Sequence, residues 1–534
     1  MRDFVKKINP KFYILFSGIL LGVSIVFAEM GILSYLALIP LFLVVISKIE
    51  SEEYRVKSAY FEGLLFFFSF YLVAFHWLLY FYPLDFTGLG RIEALGIVLL
   101  GWIGIPLIQS VFSALIFVAI LKLSKTGVCK KYPVLMPFFA GALFVVNEWS
   151  QTFTWAGVPW GRISITHTQM PILMQGASIF GGYFLTFIVV TVNFLLAQAI
   201  YKKEFRRLAM LTAIVVFCTN FLFSSVLYFI PTHNESRAVK IAAVQGNLPS
   251  QEDRGFFSDG VFEKYAEITR EAVRNGAEIV VWPEGAFITD VDGLIKGEGD
   301  RYISLKKAVV ELSCELGISI VFGSYYVDEN ENYYNAMNVF YPDGTFILGA
   351  CCKEKLVPFG EFVPMRDIIE FVLPQLALIN TMPDDLTSVR EQKVFDSSKN
   401  GVKIGALICF DAIFETTAID SSRAGAEVFI VPSDDSWFYE SRALNMHHSQ
   451  NILRAVEQGK YTVNCANTGL TSILSNKGEI VEQMPIFTEG YVVETVYASE
   501  GRTLYSYIGN LFVYLCIMVV VFPLSLEAIS KKRA

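Results

Sequence analysis

The stretch IGALICFDAIFE, residues 404–415, is an apolar run that meets one cysteine, Cys409, and then two carboxylates. A short run of aliphatic residues is typical of a buried strand, and Cys409 stands where that strand would end. Unpaired cysteine is often buried as a small apolar side chain, so Cys409 alone is consistent with core packing. Taken alone, core packing is the favoured interpretation, and a nucleophile is the alternative, because open α/β sheets bind ligands at the ends of their strands.

The surrounding sequence alternates short strands with helices. VKIAAVQGN (239–247) is predicted to be a strand, VFEKYAEITREAVRNG (261–276) a helix, and AEIVVWPEGA (277–286) a second strand that ends in Pro-Glu-Gly. The pattern continues to about residue 500 without an internal repeat. Residues 238–500 are therefore predicted to form a layered α/β domain.

The rest of the chain is too apolar for an ordinary soluble protein. The 534 residues are 54% hydrophobic and 18% charged, and the mean hydropathy is +0.47. Apolar runs long enough for a hydrocarbon layer of about 30 Å occur at residues 12–29, 31–47, 60–82, 95–122, 132–148, 174–200, 207–230 and 507–528. We predict an integral membrane α-helical bundle of eight spans, with a membrane domain of seven helices over residues 1–232 and a last helix over 505–528.

Lysine and arginine gather in alternate connections of this predicted bundle. With eight spans, one side receives the basic clusters at residues 2–7, 48–57, 122–131, 202–207 and 531–533, whereas 83–94 and 149–173 hold only Arg91 and Arg162. Because basic residues collect on the cytoplasmic side, both termini are predicted to be cytoplasmic. Seven spans before the α/β domain then place that domain on the outer face.

Several classes of function have no support in the sequence. The eight cysteines show no CxxC spacing, and His447 and His448 lack the partners of a metal site, so we predict no metal. The formal net charge of -8 and the lack of basic, aromatic-rich patches argue against nucleic acid. Neither a Walker loop nor a dinucleotide fingerprint occurs, and no cofactor is predicted.

Three polar residues stand where predicted strands end: Glu284, Lys353 and Cys409. Taken singly, each residue has an ordinary structural explanation. Glu284 is consistent with a helix N-cap, Lys353 with a solvent-exposed charge and Cys409 with burial in the core. Together they form a chemical set, because a thiol needs a base and burial raises the pKa of a carboxylate. A nearby lysine donates to the oxyanion of a tetrahedral intermediate. The set indicates thioester-forming acyl transfer, or amide or nitrile cleavage.

The motifs around these residues carry a family resemblance. WPEGA (282–286), KEKLVPFGEFVP (353–364) and ALICFD (406–411) resemble the nitrilase superfamily, which implies a Glu-Lys-Cys triad in an αββα sandwich. LVPFGEFVP and the flanking spans resemble one branch, the apolipoprotein N-acyltransferase family. The segment from Asn147 to Phe187, NEWSQTFTWAGVPWGRISITHTQMPILMQGASIFGGYFLTF, is similar to the membrane portion of that family.

This resemblance implies roles for individual residues. Glu284 matches the general base, Lys353 the triad lysine, Cys409 the nucleophile and Glu361 a second glutamate near the site. Lys353 is preferred over Lys355 because it lies three residues before LVPFGE. The chain departs from the family at two supporting positions, where it has Phe410 and Asp411 in place of the usual tyrosine and glutamate.

The resemblance also implies a reaction and its partners. Cys409 would take a fatty acyl chain from a membrane glycerophospholipid and pass it to the α-amino group of a diacylglyceryl-modified apolipoprotein. The location would be the bacterial inner membrane, with the catalytic domain on its periplasmic face. Three alternatives share the motifs: a membrane-anchored amidase that uses water, a related acyltransferase with another acceptor, and a non-catalytic membrane scaffold.

One further stretch, MRDIIEFVLPQLALI (365–379), is unusually apolar for a loop of a water-facing domain. We predict that it enters the membrane interface through Phe371, Leu373 and Leu376 and guides acyl chains to Cys409. Trp437 and Phe438 are predicted to line the same entrance. The alternative for all five side chains is ordinary core packing.

Overall fold

The protein, a computed structural model, is described for residues 9–52, 54–155, 157–232, 237–248, 260–287, 294–296, 302–380, 385–389, 391, 394–398 and 401–533. Contacts divide the chain into two compact units. The first unit contains the chain up to Leu79, Val98–Ile230 and the chain from Ile508, and the second contains Tyr80–Ile97 and Pro231–Tyr507. Arg2, Lys6 and Lys7, which entered the predicted topology, lie outside the described residues.

The first unit is built from long apolar helices. Within the described residues, seven helical segments are long and apolar enough to cross a membrane: Ala28–Glu50, Val56–Ala74, Arg91–Ser124, Pro133–Ser150, Gly182–Tyr201, Arg206–Phe229 and Leu511–Ile529. A further apolar helix, Pro10–Val26, has 17 residues, or about 26 Å at the usual rise per residue. That length is at the short end of what spans a membrane. This unit is an integral membrane helical bundle.

Each of the eight predicted apolar runs overlaps one of these helices, and the bounds differ in detail. The run 95–122 is two helices, Arg91–Ser113 and Leu115–Ser124. The run 174–200 begins as short turns, and its continuous helix starts only at Gly182 because Gly181 has φ +76° and ψ 171°, outside the helical region.

A buried carboxylate organises part of the membrane unit. Glu148 lies on the helix Met136–Ser150 and is 5% exposed. Its Oε1 accepts the backbone N–H of Ile163 at 2.8 Å, and its Oε2 accepts the hydroxyl of Thr186 at 2.8 Å. Because a buried carboxylate is costly without such donors, these bonds tie the irregular segment at Ile163 to the helix Gly182–Tyr201.

The second unit contains two six-stranded sheets. The first has the strand order β14-β1-β2-β5-β6-β7 and the second β13-β12-β11-β10-β9-β8, with a separate β3-β4 hairpin. The strands are β1 Ala238–Gln245, β2 Ile279–Val281, β3 Leu294–Lys296, β4 Tyr302–Ser304, β5 Ser319–Val327, β6 Tyr333–Phe340, β7 Phe346–Cys352, β8 Val394–Asp396, β9 Lys403–Ala406, β10 Val428–Ser433, β11 Thr462–Ala466, β12 Ser472–Leu474, β13 Ile480–Gln483 and β14 Gly490–Tyr497. The triplets β1-β2-β5 and β9-β10-β11 are parallel, and the outer pairings are antiparallel.

Helices cover the outer faces of both sheets. They are Val261–Arg274, Leu305–Leu316, Glu415–Ala424 and Ala443–Gln458. The short helix Arg366–Val372 has no buried residue. One apolar core lies between the sheets and includes Val281 and Ile404. A second packs the helices Val261–Arg274 and Leu305–Leu316 on the first sheet, and a third packs Glu415–Ala424 on the second. The unit is therefore an αββα sandwich.

Local sequence sets where these elements begin and end. The side chain of Ser304 caps Leu305–Leu316 by accepting the N–H of Lys307 at 3.2 Å, and Gly317 ends that helix at φ +66°. Strand β10 is buried along its whole length, as a parallel strand covered on both faces should be. These rigid strands fix where the polar residues after them emerge.

Candidate active site

Glu284 follows strand β2 after Trp282 and Pro283, and it is only 5% exposed. Its Oε1 accepts hydrogen bonds from Nζ of Lys353 at 2.8 Å and from Nδ2 of Asn335 at 2.6 Å. Its Oε2 accepts the backbone N–H of Asp434 at 2.9 Å. Both oxygens are thus fixed by donors from three different parts of the sandwich.

Lys353 is the first residue after strand β7 and is 2% exposed. Its ammonium group donates to Oε1 of Glu284 and, at 3.0 Å, to Oε1 of Glu361. An ammonium group has three N–H donors. Two of them are used by these two carboxylates.

Glu361 completes this cluster of charges. Its Oε1 also accepts Nδ2 of Asn335 at 2.8 Å, and its Oε2 accepts the backbone N–H of Val357 at 2.8 Å. The Asn335 amide, which lies on strand β6, therefore bridges the two glutamates. Lys353 and Asn335 together hold Glu284 and Glu361 in one fixed arrangement.

Cys409 begins a 3₁₀ turn, Cys409–Ile413, that follows strand β9. Its backbone φ is +48°, in the left-handed region that residues other than glycine rarely adopt. Such a conformation costs about 1–3 kcal/mol and persists where the surroundings hold it, often at functional sites. Taken as a whole residue, Cys409 is partly exposed.

The charges around Cys409 set its protonation and that of Glu284. Burial raises the pKa of Glu284, but the Lys353 ammonium and the hydrogen bonds from Lys353, Asp434 and Asn335 outweigh it and lower the pKa overall. The expectation of a net raised pKa for Glu284 is therefore wrong. Burial and the Glu284 carboxylate raise the pKa of the Cys409 thiol well above its usual value, which Lys353 only partly offsets. The resting site thus pairs a carboxylate with a thiol.

Asp411 joins the cysteine turn to the loop after Lys353. It is fully buried, and its Oδ1 accepts the backbone N–H groups of Glu354 at 3.1 Å and Lys355 at 2.7 Å. Its Oδ2 accepts the N–H of Ile408 at 3.2 Å. Burial raises the pKa of Asp411 to about 7. Its short side chain fits between two backbone segments that flank the site.

Phe410 and Lys355 lie at the edge of this arrangement. The Phe410 ring packs edge-on against Phe414, with centroids 5.4 Å apart. The Lys355 ammonium pairs with Glu354 at 2.6 Å and lies over the Phe414 ring, 5.5 Å from its centroid. Of the two lysines compared in the sequence, Lys353 is the one that contacts Glu284.

Trp437 and Phe438 lie in the turn Asp435–Phe438, and both are half-buried. The Trp437 ring meets Phe86 edge-on at 5.5 Å, and Phe86 comes from the segment Tyr80–Ile97 of the same unit. Phe438 lies 6.3 Å from the imidazole of His447. Phe438 is therefore a neighbour of His447, which contacts the carbonyl oxygen of Cys409, whereas Trp437 packs against Phe86.

The stretch 365–379 forms the helix Arg366–Val372 and the 3₁₀ turn Pro374–Ile379. Neither contains a buried residue, so core packing does not account for this apolar segment. Phe371 is 89% exposed and Val372 69%. Leu373 and Leu376 are half-buried, and the most exposed apolar side chains are instead Phe371, Val372, Ile368 and Met365.

Sequence reasoning missed three contributors to the site: Asn335, Asp434 and His447. Asn335 carried a usable signal, because asparagine is depleted in strands and a buried amide must find partners. His447 was considered only as a metal ligand. Among the described residues, no group of three or more His, Cys, Asp or Glu side chains is arranged to hold a metal ion.

The fold and this cluster define a class of protein: a membrane protein that carries a nitrilase-like αββα domain with a buried Glu-Lys-Glu cluster beside a cysteine. Comparison with known proteins agrees with that class. The carbon-nitrogen hydrolase family matches residues 240–504. The apolipoprotein N-acyltransferase N-terminal domain matches residues 17–195.

Similar proteins share nearly the whole length of the chain. An apolipoprotein N-acyltransferase of Geobacter metallireducens is 28% identical over 94% of this chain and 92% of its own. One of Thermotoga maritima is 27% identical over 97% of this chain and 93% of its own. Nit3 of Saccharomyces cerevisiae, a solved nitrilase-superfamily structure, is 18% identical with a TM-score of 0.37, over 51% of this chain and 93% of its own. The two family matches and the relatives together place the chain in the apolipoprotein N-acyltransferase family of the nitrilase superfamily.

Proposed function

We propose that the protein transfers a fatty acyl chain from a membrane glycerophospholipid, through a thioester on Cys409, to the α-amino group of a diacylglyceryl-cysteine at the N-terminus of an apolipoprotein. The observation that carries the proposal is the buried ammonium of Lys353, which bridges Glu284 and Glu361 beside the cysteine turn. A purely structural core would gain more from apolar packing than from three buried charges. The membrane helices supply access to lipid substrates.

The first half-reaction forms the thioester. Sγ of Cys409 attacks the ester carbonyl of the phospholipid while its proton passes to Glu284. The carbonyl oxygen gains negative charge, which the third N–H of Lys353 stabilises. Collapse of the tetrahedral intermediate breaks the ester C–O bond, and Glu284 returns the proton to the departing lysophospholipid oxygen. Because the thiol has a raised pKa, we place proton transfer together with attack and not before it.

The second half-reaction transfers the acyl chain. The neutral α-amino group of the acceptor attacks the thioester carbonyl and gives a proton to Glu284. The C–S bond breaks, and the sulfur of Cys409 recovers a proton from Glu284. The product is an amide, and the site returns to its resting carboxylate and thiol.

The exposed segment 365–379 gives acyl chains a route to the site in this proposal. It begins four residues after Glu361 along the chain, and Phe371, Val372 and Ile368 are exposed. Apolar side chains exposed in this way favour insertion into the acyl region of a membrane surface. We assign Trp437 and Phe438 to the same entrance. The half-buried side chains of Leu373 and Leu376 would line its inner part.

The proposed location follows from the distribution of basic residues. Lys48, Arg55, Lys122, Lys130 and Arg206 belong to clusters that alternate with connections poor in basic residues. We propose a bacterial inner-membrane protein with both termini in the cytoplasm and the catalytic unit in the periplasm.

Reconstitution tests the whole proposal. Purified full-length protein in phosphatidylethanolamine vesicles should convert a synthetic diacylglyceryl lipopeptide to its triacylated form, with one lysophospholipid released per product. Mass spectrometry of lipids and peptide measures both. Release of free fatty acid in place of the triacylated peptide would identify a hydrolase, and turnover of simple amides without lipid would identify an amidase.

The segment 365–379 provides a second test. The double substitution Phe371→Asp and Ile368→Asp should slow acyl-enzyme formation from vesicles about 10-fold or more, since each buried apolar side chain contributes about 1.5–3 kcal/mol to insertion. Formation from a soluble short-chain thioester should stay unchanged. The matched control is Val481→Asp, on strand β13 with 46% of the side chain exposed. Equal rates for the double variant and wild type on vesicles would reject this entrance.

A further inference from the structure

A buried histidine holds the backbone of the proposed nucleophile. His447 lies on the helix Ala443–Gln458 and is 1% exposed. Its Nε2 is 3.1 Å from the carbonyl oxygen of Cys409, and its Nδ1 is 3.0 Å from Oδ1 of Asp435. These two contacts join His447 to the backbone of the cysteine turn and to a carboxylate, so they act on the reaction through the position of Cys409 and through charge.

The two partners of His447 determine its protonation. A peptide carbonyl and a carboxylate only accept hydrogen bonds, and a neutral imidazole has one N–H to give. Two acceptors at hydrogen-bond distance therefore call for protons on both ring nitrogens. Burial lowers the pKa of His447, but the Asp435 carboxylate and the Cys409 carbonyl outweigh it and raise the pKa above its usual value.

The fold makes room for the carboxylate of this pair. A Cβ on Gly469 would overlap the Asp435 side chain, so glycine at 469 keeps that space open. The preceding residue, Asp434, donates its backbone N–H to Glu284 at 2.9 Å. One short turn, residues 434–438, thus contacts the proposed base on one side and the histidine behind the nucleophile on the other.

We propose that His447 is a positioning residue for acyl transfer. As an imidazolium fixed by Asp435, it binds the carbonyl oxygen of Cys409, holds that residue in its left-handed conformation and supplies the second positive charge of the site. The inference rests on the proposed function, in which Cys409 is the nucleophile. The left-handed φ of Cys409 is a conformation that needs outside support, and His447 provides a charge-assisted hydrogen bond to that residue.

The charges facing Cys409 show why a second cation matters. The carboxylates of Glu284, Asp435 and Glu361 all raise the pKa of its thiol, and the Lys353 ammonium lowers it. Glu284 also faces His447. With His447 protonated, the three carboxylates face two cations, Lys353 and His447. Without it, the Asp435 carboxylate is left uncompensated beside the forming thiolate.

The neighbouring histidine provides a matched control. His448 lies on the same helix and is 5% exposed, but its Nε2 is 2.7 Å from a hydroxyl, that of Ser472, which can donate as well as accept. Burial and the charge on His447 lower the pKa of His448 to about 4, so it is neutral near pH 7. A substitution there changes a buried histidine without removing a charge from the site.

Alkylation of Cys409 by iodoacetamide measures the thiolate directly. Full-length protein in lipid-free detergent is labelled across pH, and the rate is read by mass spectrometry on the peptide that contains Cys409. His447→Gln keeps a donor for the Cys409 carbonyl but removes the charge. This substitution should shift the pH profile of the alkylation rate to higher pH by about one unit. At a pH where the thiolate is scarce, that shift makes alkylation roughly ten-fold slower. His447→Asn, a smaller neutral side chain, should show the same shift and serves if the glutamine variant does not fold.

Removing the carboxylate should cancel the effect. In the double variant His447→Gln with Asp435→Asn, both charges of the pair are gone, and the profile should return close to that of wild type. His448→Gln should leave it unchanged. The inference is overturned if folded His447→Gln matches wild type, if His448→Gln shifts as far, or if the double variant stays as shifted as the single.

This experiment is separate from the test of the proposed function, because iodoacetamide needs neither acyl donor nor acceptor. Absence of acyl transfer together with the expected shift would reject the function and leave the charge pair in place. Acyl transfer in reconstituted vesicles with no shift in the profile would reject only the role of His447.

Discussion

Replacing Cys409 with alanine is expected to abolish the acyl-enzyme and to reduce acyl transfer by on the order of 10⁴-fold or more, since loss of a covalent nucleophile removes the whole two-step route. Wild-type protein purified with phospholipid should carry an acyl-chain mass on the Cys409 peptide. That mass should disappear on treatment with hydroxylamine, which cleaves thioesters. Intact-peptide mass spectrometry measures both outcomes.

Cys352→Ala is the matched control, because Cys352 is half-exposed and adjoins Lys353 in the sequence. The adduct should remain in this variant and be absent from Cys409→Ala. A folded wild-type protein that forms no adduct with any phospholipid tested would contradict the thioester mechanism. It would instead favour a changed function, marked by Phe410 and Asp411.

Glu284→Gln has the second largest expected effect. Glutamine keeps an oxygen for Lys353 but cannot take the proton of Cys409, and loss of a general base typically costs about 10²–10⁴ in rate. Its amide N–H₂ would also face the backbone N–H of Asp434, which now donates to Oε2. Leaving that buried donor without an acceptor should cost about 1–3 kcal/mol of stability. Quenching the reaction at set times and quantifying the acyl-enzyme measures the effect on rate. Thermal unfolding measures the effect on stability.

Glu427→Gln separates catalysis from stability. Glu427 is 5% exposed, binds Arg237 through both oxygens at 2.6 and 2.9 Å, and accepts the N–H of Lys403 at 2.9 Å. Its neutral variant should lose comparable stability because it too loses a buried charged pair. Acyl-enzyme formation should nevertheless match wild type. Equal rates for Glu284→Gln and Glu427→Gln would show that Glu284 is structural.

The sequence determined much of the architecture and the identity of the central residues. Backbone groups inside a lipid bilayer must form their hydrogen bonds within the protein, so long apolar runs indicate membrane helices. The alternation of short strands and helices indicated the layered α/β domain. Glu284, Lys353 and Cys409 stood out because each comes within three residues of the end of an apolar strand, and the strand limits where such a residue can lie. Lys353 was separated from Lys355 by its spacing from LVPFGE, and it is the lysine that contacts Glu284.

Tertiary structure alone decided the electrostatics and the supporting contacts. A pKa depends on which charges and donors surround a group in space, and Lys353, Asn335 and Asp434 reach Glu284 from separate strands and turns. Burial, visible in the sequence, predicted a raised pKa for Glu284, whereas these unseen partners lower it. His447 lies 38 residues from Cys409 along the chain. Only the packing of its helix against the cysteine turn brings the two together, and no local pattern records such a contact.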